Sequence, residues 1–346
     1  MASSTGRKLN ILISTFLLAL FLFLAFRNVD LKELAKVLEN TNYFYVILGM
    51  SIGAFIGMIV RSFRWRVLLH PVKPNISFHN LMSSTSIGYM VNNLIPRSGE
   101  VVRPYLLGKN ENISKSAAFG TIIIERIIDT VMFLLMFGFV LLYFKNRISN
   151  AVPQISFAVI LLAVLIFLML LWVLFMMFKT EQSLKIVRFF TRLLPARFQT
   201  RIEGIFTSLV YGFDILKKPD LMFKIAAYSI LLWFVYLIST FIPFYSFGIM
   251  VGNDMSLWDS LWNANLLLVL INVSMFIPSP AATGPYHYMC KVTLVSIFAV
   301  SEPKALGYAT ATHLVSFILY LIAGLYYFIT SHYKISELKQ KSVKNG

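Results

Sequence analysis

A chain of 346 residues that is 58% hydrophobic, 15% aromatic and only 13% charged does not have the composition of soluble domains with water-facing surfaces. Its formal net charge of +16 does not point to nucleic acid, because the basic residues stand in short segments flanking apolar runs and not along one soluble face. The composition defines an all-α polytopic membrane protein whose basic flanks meet anionic lipid headgroups.

In chain order, Leu9–Phe26 is the first run long enough to cross about 30 Å of hydrocarbon. No A-x-A-type site follows it, and the charged, helical stretch Val29 to Glu39 comes next, so it reads as a retained span and not a cleaved signal. Further spans are Phe44–Val60 continuing toward Leu69, Ala117–Phe144, Ile155–Phe178, Met222–Gly248 and Ala305–Thr330. Two other apolar stretches, Leu81–Pro96 and Leu257–Pro278 with its continuation to Val300, are interrupted by Pro, Gly and Asn and read as broken or re-entrant elements. The long connection Lys179–Phe223 carries apolar stripes at Val187, Phe190 and Leu194 and, after Pro195, at Ile202, Phe206, Leu209, Phe213 and Leu216. Residues 182–217 therefore form amphipathic cytoplasmic helices, either lying on the leaflet or presenting a solvated basic face on the bundle. A basic tail, 334–346, closes the sequence.

Lysine and arginine placement orients this map. With both termini in the cytoplasm, 22 basic residues fall on that side and seven on the other, with Arg61 and Arg126 inside spans. The count requires six full spans and two broken segments that return to the side they entered. One membrane domain then divides into half-repeats 1–148 and 149–333 of inverted topology, each with an interrupted segment. Such pairs point to a transporter whose site lies where the broken segments meet. The single cysteine, Cys290, excludes an internal disulfide and reads as a packing residue.

Three constellations could carry function. Glu125, Arg126 and Asp129 stand inside the apolar run from Phe119 to Tyr143, where each charge costs about 2.5–3.5 kcal/mol even on lenient insertion scales. Such residues face a bundle interior or a water-filled path; the plainer reading is an internal Arg126–Asp129 pair tying helices together. Arg61, Arg64 and Trp65 share a helix face at headgroup level, either as a guanidinium fork for phosphate or as ordinary flanking cations with an interfacial indole. Gly88, Asn92, Asn93, Pro96, Arg97, Gly99, Glu100 and Arg103 form a break: the amides can satisfy freed backbone groups, Pro96 stops the ladder and Gly99 permits a tight return. Glu100 and Arg103 are then placed to flank a polar cavity meeting Glu125, Arg126 and Asp129. In the second half the corresponding residues are Asn272, Pro278, Gly284 and His287, with His287 either a proton-coupling group or a structural one.

There is no phosphate loop, nucleophile elbow, nucleotide fingerprint or metal-ligand spacing in the sequence, so no catalytic residue, cofactor or metal is assigned.

Taken together, Arg61-x-x-Arg64-Trp65-Arg66-x-Leu68-Leu69, Gly88-Tyr89-x-x-Asn92-x-x-x-Pro96-Arg97-x-Gly99-Glu100-x-x-Arg103 and Glu125-Arg126-x-x-Asp129 resemble the lysylphosphatidylglycerol synthase transmembrane family, the flippase-like domain proteins of prokaryotic membranes. The resemblance covers nearly the whole chain in order, without the soluble synthase domain fused in some relatives. It implies a lipid-translocase fold with two re-entrant elements in the cytoplasmic membrane. The sequence departs from the family where a Gly-Gly-x-Gly turn and a glutamate are expected, having Pro278 to Gly284 and then His287. The expected function is a flippase or carrier of an amphiphilic, anionic-headgroup lipid. The competing reading is a membrane lipid transferase or hydrolase using Glu100, Glu125 or Asp129 as general base. Nucleic acid is excluded as a partner; an oligomer or a partner subunit is compatible with the sequence.

Overall fold

Short polar residues start the helices where the apolar runs begin. In the computed structural model, which describes residues 4–144, 179–191, 218–249 and 256–331 and the single positions 164, 168, 171, 175 and 199, α1 spans Ser4–Phe26. Asn28, in the left-handed region, follows it, and Asp30 caps α2 (Leu31–Glu39) by accepting from the Lys32 backbone N–H at 2.8 Å. The segments Leu12–Phe26 and Leu31–Glu39 bend by 87° at this point. Asn42 caps the next helix, α3 (Tyr43–Leu68), which carries one π-type turn at Ile52–Ile56.

The first interrupted segment is a helical hairpin: α4 (Phe78–Leu94) ends before Pro96, the chain reverses through Ile95 to Ser98, and α5 (Gly99–Asn110) returns. Ser114 caps the 29-residue α6 (Lys115–Tyr143). Of the long polar connection, the described part includes α7 (Thr180–Thr191), with Lys185 and Arg188 exposed. Then come α8 (Pro219–Phe241) and the short helix Phe244–Phe247. The second interrupted segment is again a hairpin, α9 (Leu257–Val273) and α10 (Pro285–Ser296), joined by a turn in which Ala281, Ala282 and Gly284 take positive φ. The 29-residue α11 (Glu302–Thr330) completes the described chain.

The two long helices organise the rest. Along α11, Thr312 meets Tyr286 and His313 meets the Ala281 carbonyl, both of the second hairpin. Farther on, Phe317 accepts from Asn93, Tyr320 stacks on Tyr89, and Ser331 reaches Ser83, all of the first. The hairpins thus approach from opposite ends of α11 with their tips near its middle. Along α6 the order repeats: Glu125 meets Arg103 of the first hairpin, Phe133 meets Phe276 at the second tip, and Tyr143 stacks on Trp262 toward that hairpin's base. Arg97, at φ 60° in the first tip, donates to the Phe276 carbonyl of the second at 3.2 Å.

Among the described residues, five helical stretches are long and apolar enough to cross a membrane: Tyr43–Leu68, Lys115–Tyr143, Pro219–Phe247, Leu257–Phe276 and Glu302–Thr330; Leu12–Phe26 with Leu31–Glu39 would make a sixth. The protein is an all-α polytopic membrane protein. Leu257–Phe276 passes this test although the sequence marks it as broken, because its interruption comes only after Phe276, where the chain turns back into α10. The expected span Ile155–Phe178, apart from positions 164, 168, 171 and 175, the boundary between residues 148 and 149, the amphipathic stretch after Thr191 apart from position 199, and the tail 334–346 lie outside the described residues.

Candidate functional site

The site begins with small residues. Gly49, Gly53 and Gly57 recur every fourth residue on the α3 face toward α8. A Cβ at Gly49 would stand 2.8 Å from Pro243 Cδ, one at Gly53 would overlap the Ser239 side chain, and one at Gly57 would lie 3.2 Å from the Tyr236 ring. Such a stripe lets two membrane helices approach closely. The next position of the same stripe is Arg61, which is carried against α8 and donates to the Tyr236 hydroxyl at 3.2 Å; one turn on, Arg64 donates to Ser229 Oγ at 3.1 Å.

Both guanidiniums meet carboxylates on α6. Arg61 donates to Glu125 and, at 2.9 Å, to Asp129, and Arg64 pairs with Asp129. From the first hairpin, Arg103 makes a two-pronged bond to Glu125 at 3.1 and 3.2 Å. Gly88 and Gly99 permit that reach: they lie in contact across the hairpin, and a Cβ at Gly88 would overlap the Arg103 side chain. The Arg103 guanidinium also lies 4.5 Å from the centre of the Trp65 ring, whose indole N–H donates to Thr121 at 2.9 Å. Arg126 donates to Glu125 at 3.0 Å, approaches Asp129 at 3.5 Å, and stands 3.8 Å from Glu100.

Glu125 is thus the hub of a network tying α3, α5, α6 and α8, and it is 0% exposed. Removing two charges from water costs several kcal/mol per ion, so burial on this scale is tolerable only where every carboxylate lone pair finds a guanidinium. Four arginines face the enclosed Glu125, the partly buried Asp129 and the half-exposed Glu100, leaving an excess of one positive charge. The Nε–H groups of Arg61, Arg64, Arg103 and Arg126 are buried without a hydrogen-bond acceptor. Donors therefore outnumber acceptors.

Several expected positions are corrected. Arg61, Arg64 and Trp65 do not line a headgroup-level face; they are buried, because the glycine stripe draws α8 over that side of α3. Arg64 and Arg103 belong to the interior and Arg97 to the hairpin tip, so these three leave the cytoplasmic tally of 22 basic residues. The Arg126–Asp129 approach exists, but within a wider network. The ionisable members all come from the first half; the second supplies the uncharged Tyr236 and Ser229. Asn92 accepts from the Gly99 backbone N–H and braces the first tip, and Asn272 donates only to Leu268 of its own helix. His287 is buried in a separate aromatic group with Phe26, Tyr286 and His313. Pro278 and Gly284 lie in the second turn. Cys290 is a buried core residue. Among the described residues, no three His, Cys, Asp or Glu side chains gather as metal ligands.

Sequence reasoning missed Tyr236 and Ser229. The Gly49-x-x-x-Gly53-x-x-x-Gly57 spacing was their only signal, since it announces a close helical neighbour without naming it.

The fold and the network define a helical membrane protein in which two opposed hairpins share two long helices and a largely buried, net-cationic cluster forms against the first of them. The chain belongs to the family described as the lysylphosphatidylglycerol synthase TM region, which matches residues 9–324. It is similar to a UPF0104 membrane protein of Methanocaldococcus jannaschii, 36% identical over 143 residues that cover 40% of this chain and 42% of that relative. It is also similar to a UPF0104 membrane protein of Methanothermobacter thermautotrophicus, 26% identical over 233 residues covering 62% and 67% of the two chains. A third, from Pyrococcus horikoshii, is 23% identical over 233 residues covering 63% and 69%. No solved structure matches the chain.

Proposed function

We propose that this protein carries an amphiphilic lipid with an anionic, phosphate-type headgroup across the prokaryotic cytoplasmic membrane, without covalent chemistry. One observation carries the reading: a cationic excess is enclosed among helices long and apolar enough to cross a membrane, and of its four guanidiniums only Arg126 is substantially exposed, at 41% of its side chain. An anion entering there would meet unused donors, while its acyl chains remain in lipid. The lopsided distribution of Lys and Arg supports cytoplasmic termini, and remains lopsided after Arg64, Arg97 and Arg103 are set aside. The alternative, a lipid-modifying enzyme with Glu100, Glu125 or Asp129 as base, has two of its three candidates, Glu125 and Asp129, committed to guanidiniums.

The test is reconstitution of the full chain in proteoliposomes with a fluorescent short-chain phosphatidylglycerol, read by a membrane-impermeant quencher. Wild type exchanges the probe between leaflets with its chemical structure intact, and Arg126→Ala loses that exchange. Unchanged exchange in Arg126→Ala removes the cluster from the mechanism, and a covalently altered lipid made only by active protein returns the enzyme reading.

A further inference from the structure

Two of the three carboxylates in the cluster are fully used, and the third is not. Glu125 receives Arg61, Arg103 and Arg126, and Asp129 receives Arg61 and Arg64, all at hydrogen-bond distance. Glu100 only approaches. Its Oε1 stands 3.8 Å from Arg126 Nε, too far for a hydrogen bond, and that Nε is buried with no acceptor. Glu100 and Arg126 are also equally exposed, each at 41% of the side chain, where the other three arginines are enclosed. The Glu100–Arg126 contact is thus a carboxylate–guanidinium approach that is both unbonded and partly exposed.

We propose that Glu100 is a built-in competitor: an intramolecular carboxylate that occupies the mouth of the cation cluster and is displaced by the phosphoryl group of the incoming lipid. The inference rests on the function proposed above and deepens it by naming what the anion must dislodge. Displacement asks little of the fold. Glu100 is the second residue of α5, directly after the reversal containing Arg97, and no hydrogen bond holds it to Arg126. The first turn of a helix is also a favourable place for a carboxylate, so Glu100 keeps a partial electrostatic partner once displaced. The consequence is a site that stays nearly neutralised when empty and does not hold a phosphoryl group so tightly that release fails.

The experiment uses the full chain in nanodiscs of phosphatidylcholine, with equilibrium binding of fluorescent short-chain phosphatidylglycerol and competition by inorganic phosphate. Glu100→Gln should tighten binding by up to about fivefold, the factor matching the upper end for an exposed ion pair. The gain should vanish when Arg126→Gln is present, because the two residues act on the same anion. Inorganic phosphate that leaves the probe bound identifies a lipid headgroup as the source of the phosphoryl group; displacement of the probe by inorganic phosphate alone assigns the site to the free ion and overturns displacement by a lipid. Glu100→Gln binding no better than wild type, while Arg126→Gln loses the probe, overturns the competitor and leaves the carrier reading standing. Full binding in Arg126→Gln overturns both. Glu100→Asp, which keeps the charge, should bind as wild type does; a gain there as large as in Glu100→Gln overturns the competitor.

Discussion

Replacing Glu125 with glutamine isolates the worth of the hub, because the shape is kept and only the charge is removed. In the wild-type protein this fully buried carboxylate accepts from Arg61, Arg103 and Arg126, with Arg64 a further 3.8 Å contact. Without it, the enclosed guanidiniums of Arg61, Arg64 and Arg103 lose their shared counter-ion, and the only carboxylate left at Arg61 and Arg64 is Asp129, which is 24% exposed. Breaking a buried pair by removing one partner costs about 3–5 kcal/mol, since the orphaned charge stays desolvated. The glutamine amide still offers one oxygen, so the expected loss is at the lower end, about 3 kcal/mol, against about 0–1 kcal/mol for Glu100→Gln at the exposed rim. The assay is equilibrium unfolding in mixed micelles, followed by tryptophan fluorescence, with Trp65 among the reporters because it is buried under the Arg103 guanidinium. A loss below about 1 kcal/mol for Glu125→Gln, equal to that of Glu100→Gln, would refute the reasoning, since it would mean that water already solvates the hub.

Gly53→Ala should destabilise the protein by about 1–3 kcal/mol through overpacking, and Ser239→Gly should restore it, because the colliding atoms are the Ser239 side chain. Absence of rescue in the same unfolding assay would dissociate the stripe from the α3–α8 contact. At the turn after α5, burial works to raise the pKa of Glu111, but Lys73, Asn80 and the Ser77 backbone N–H outweigh it and hold the carboxyl below its ordinary value of 4.5. A depressed pKa contributes stability that is complete above the unfolded value and is lost as pH falls through the folded one, so stability should decline below pH 4.5, and Glu111→Gln should remove that dependence. An identical acid profile for Glu111→Gln would show that other groups govern it.

Much of the architecture was legible because apolar length and proline position act locally. Pro96 and the turn from Pro278 to Gly284 each end a ladder wherever the chain is placed, and both mark hairpins here. Glu125, Arg126 and Asp129 were legible because charge in an apolar run demands partners. The partners themselves were not legible. Arg61 and Arg64 read equally well as interfacial cations, and only the approach of α8 turns them inward. Tyr236 and Ser229 are unremarkable residues of an apolar run, and their position depends on tertiary contact alone. His287 read either as a proton-coupling group or as a structural one, and α10 places it among Phe26, Tyr286 and His313.

The sharing of α6 and α11 by both hairpins has a mechanical corollary. Each long helix is gripped along one stretch by the first hairpin and along another by the second, while Arg97 and Phe276 latch the two tips together. Neither hairpin can be withdrawn without dragging on a rod that also bears on the other. If the proposed carriage of lipid runs on this frame, movement of one hairpin is felt by the other through the helices they share.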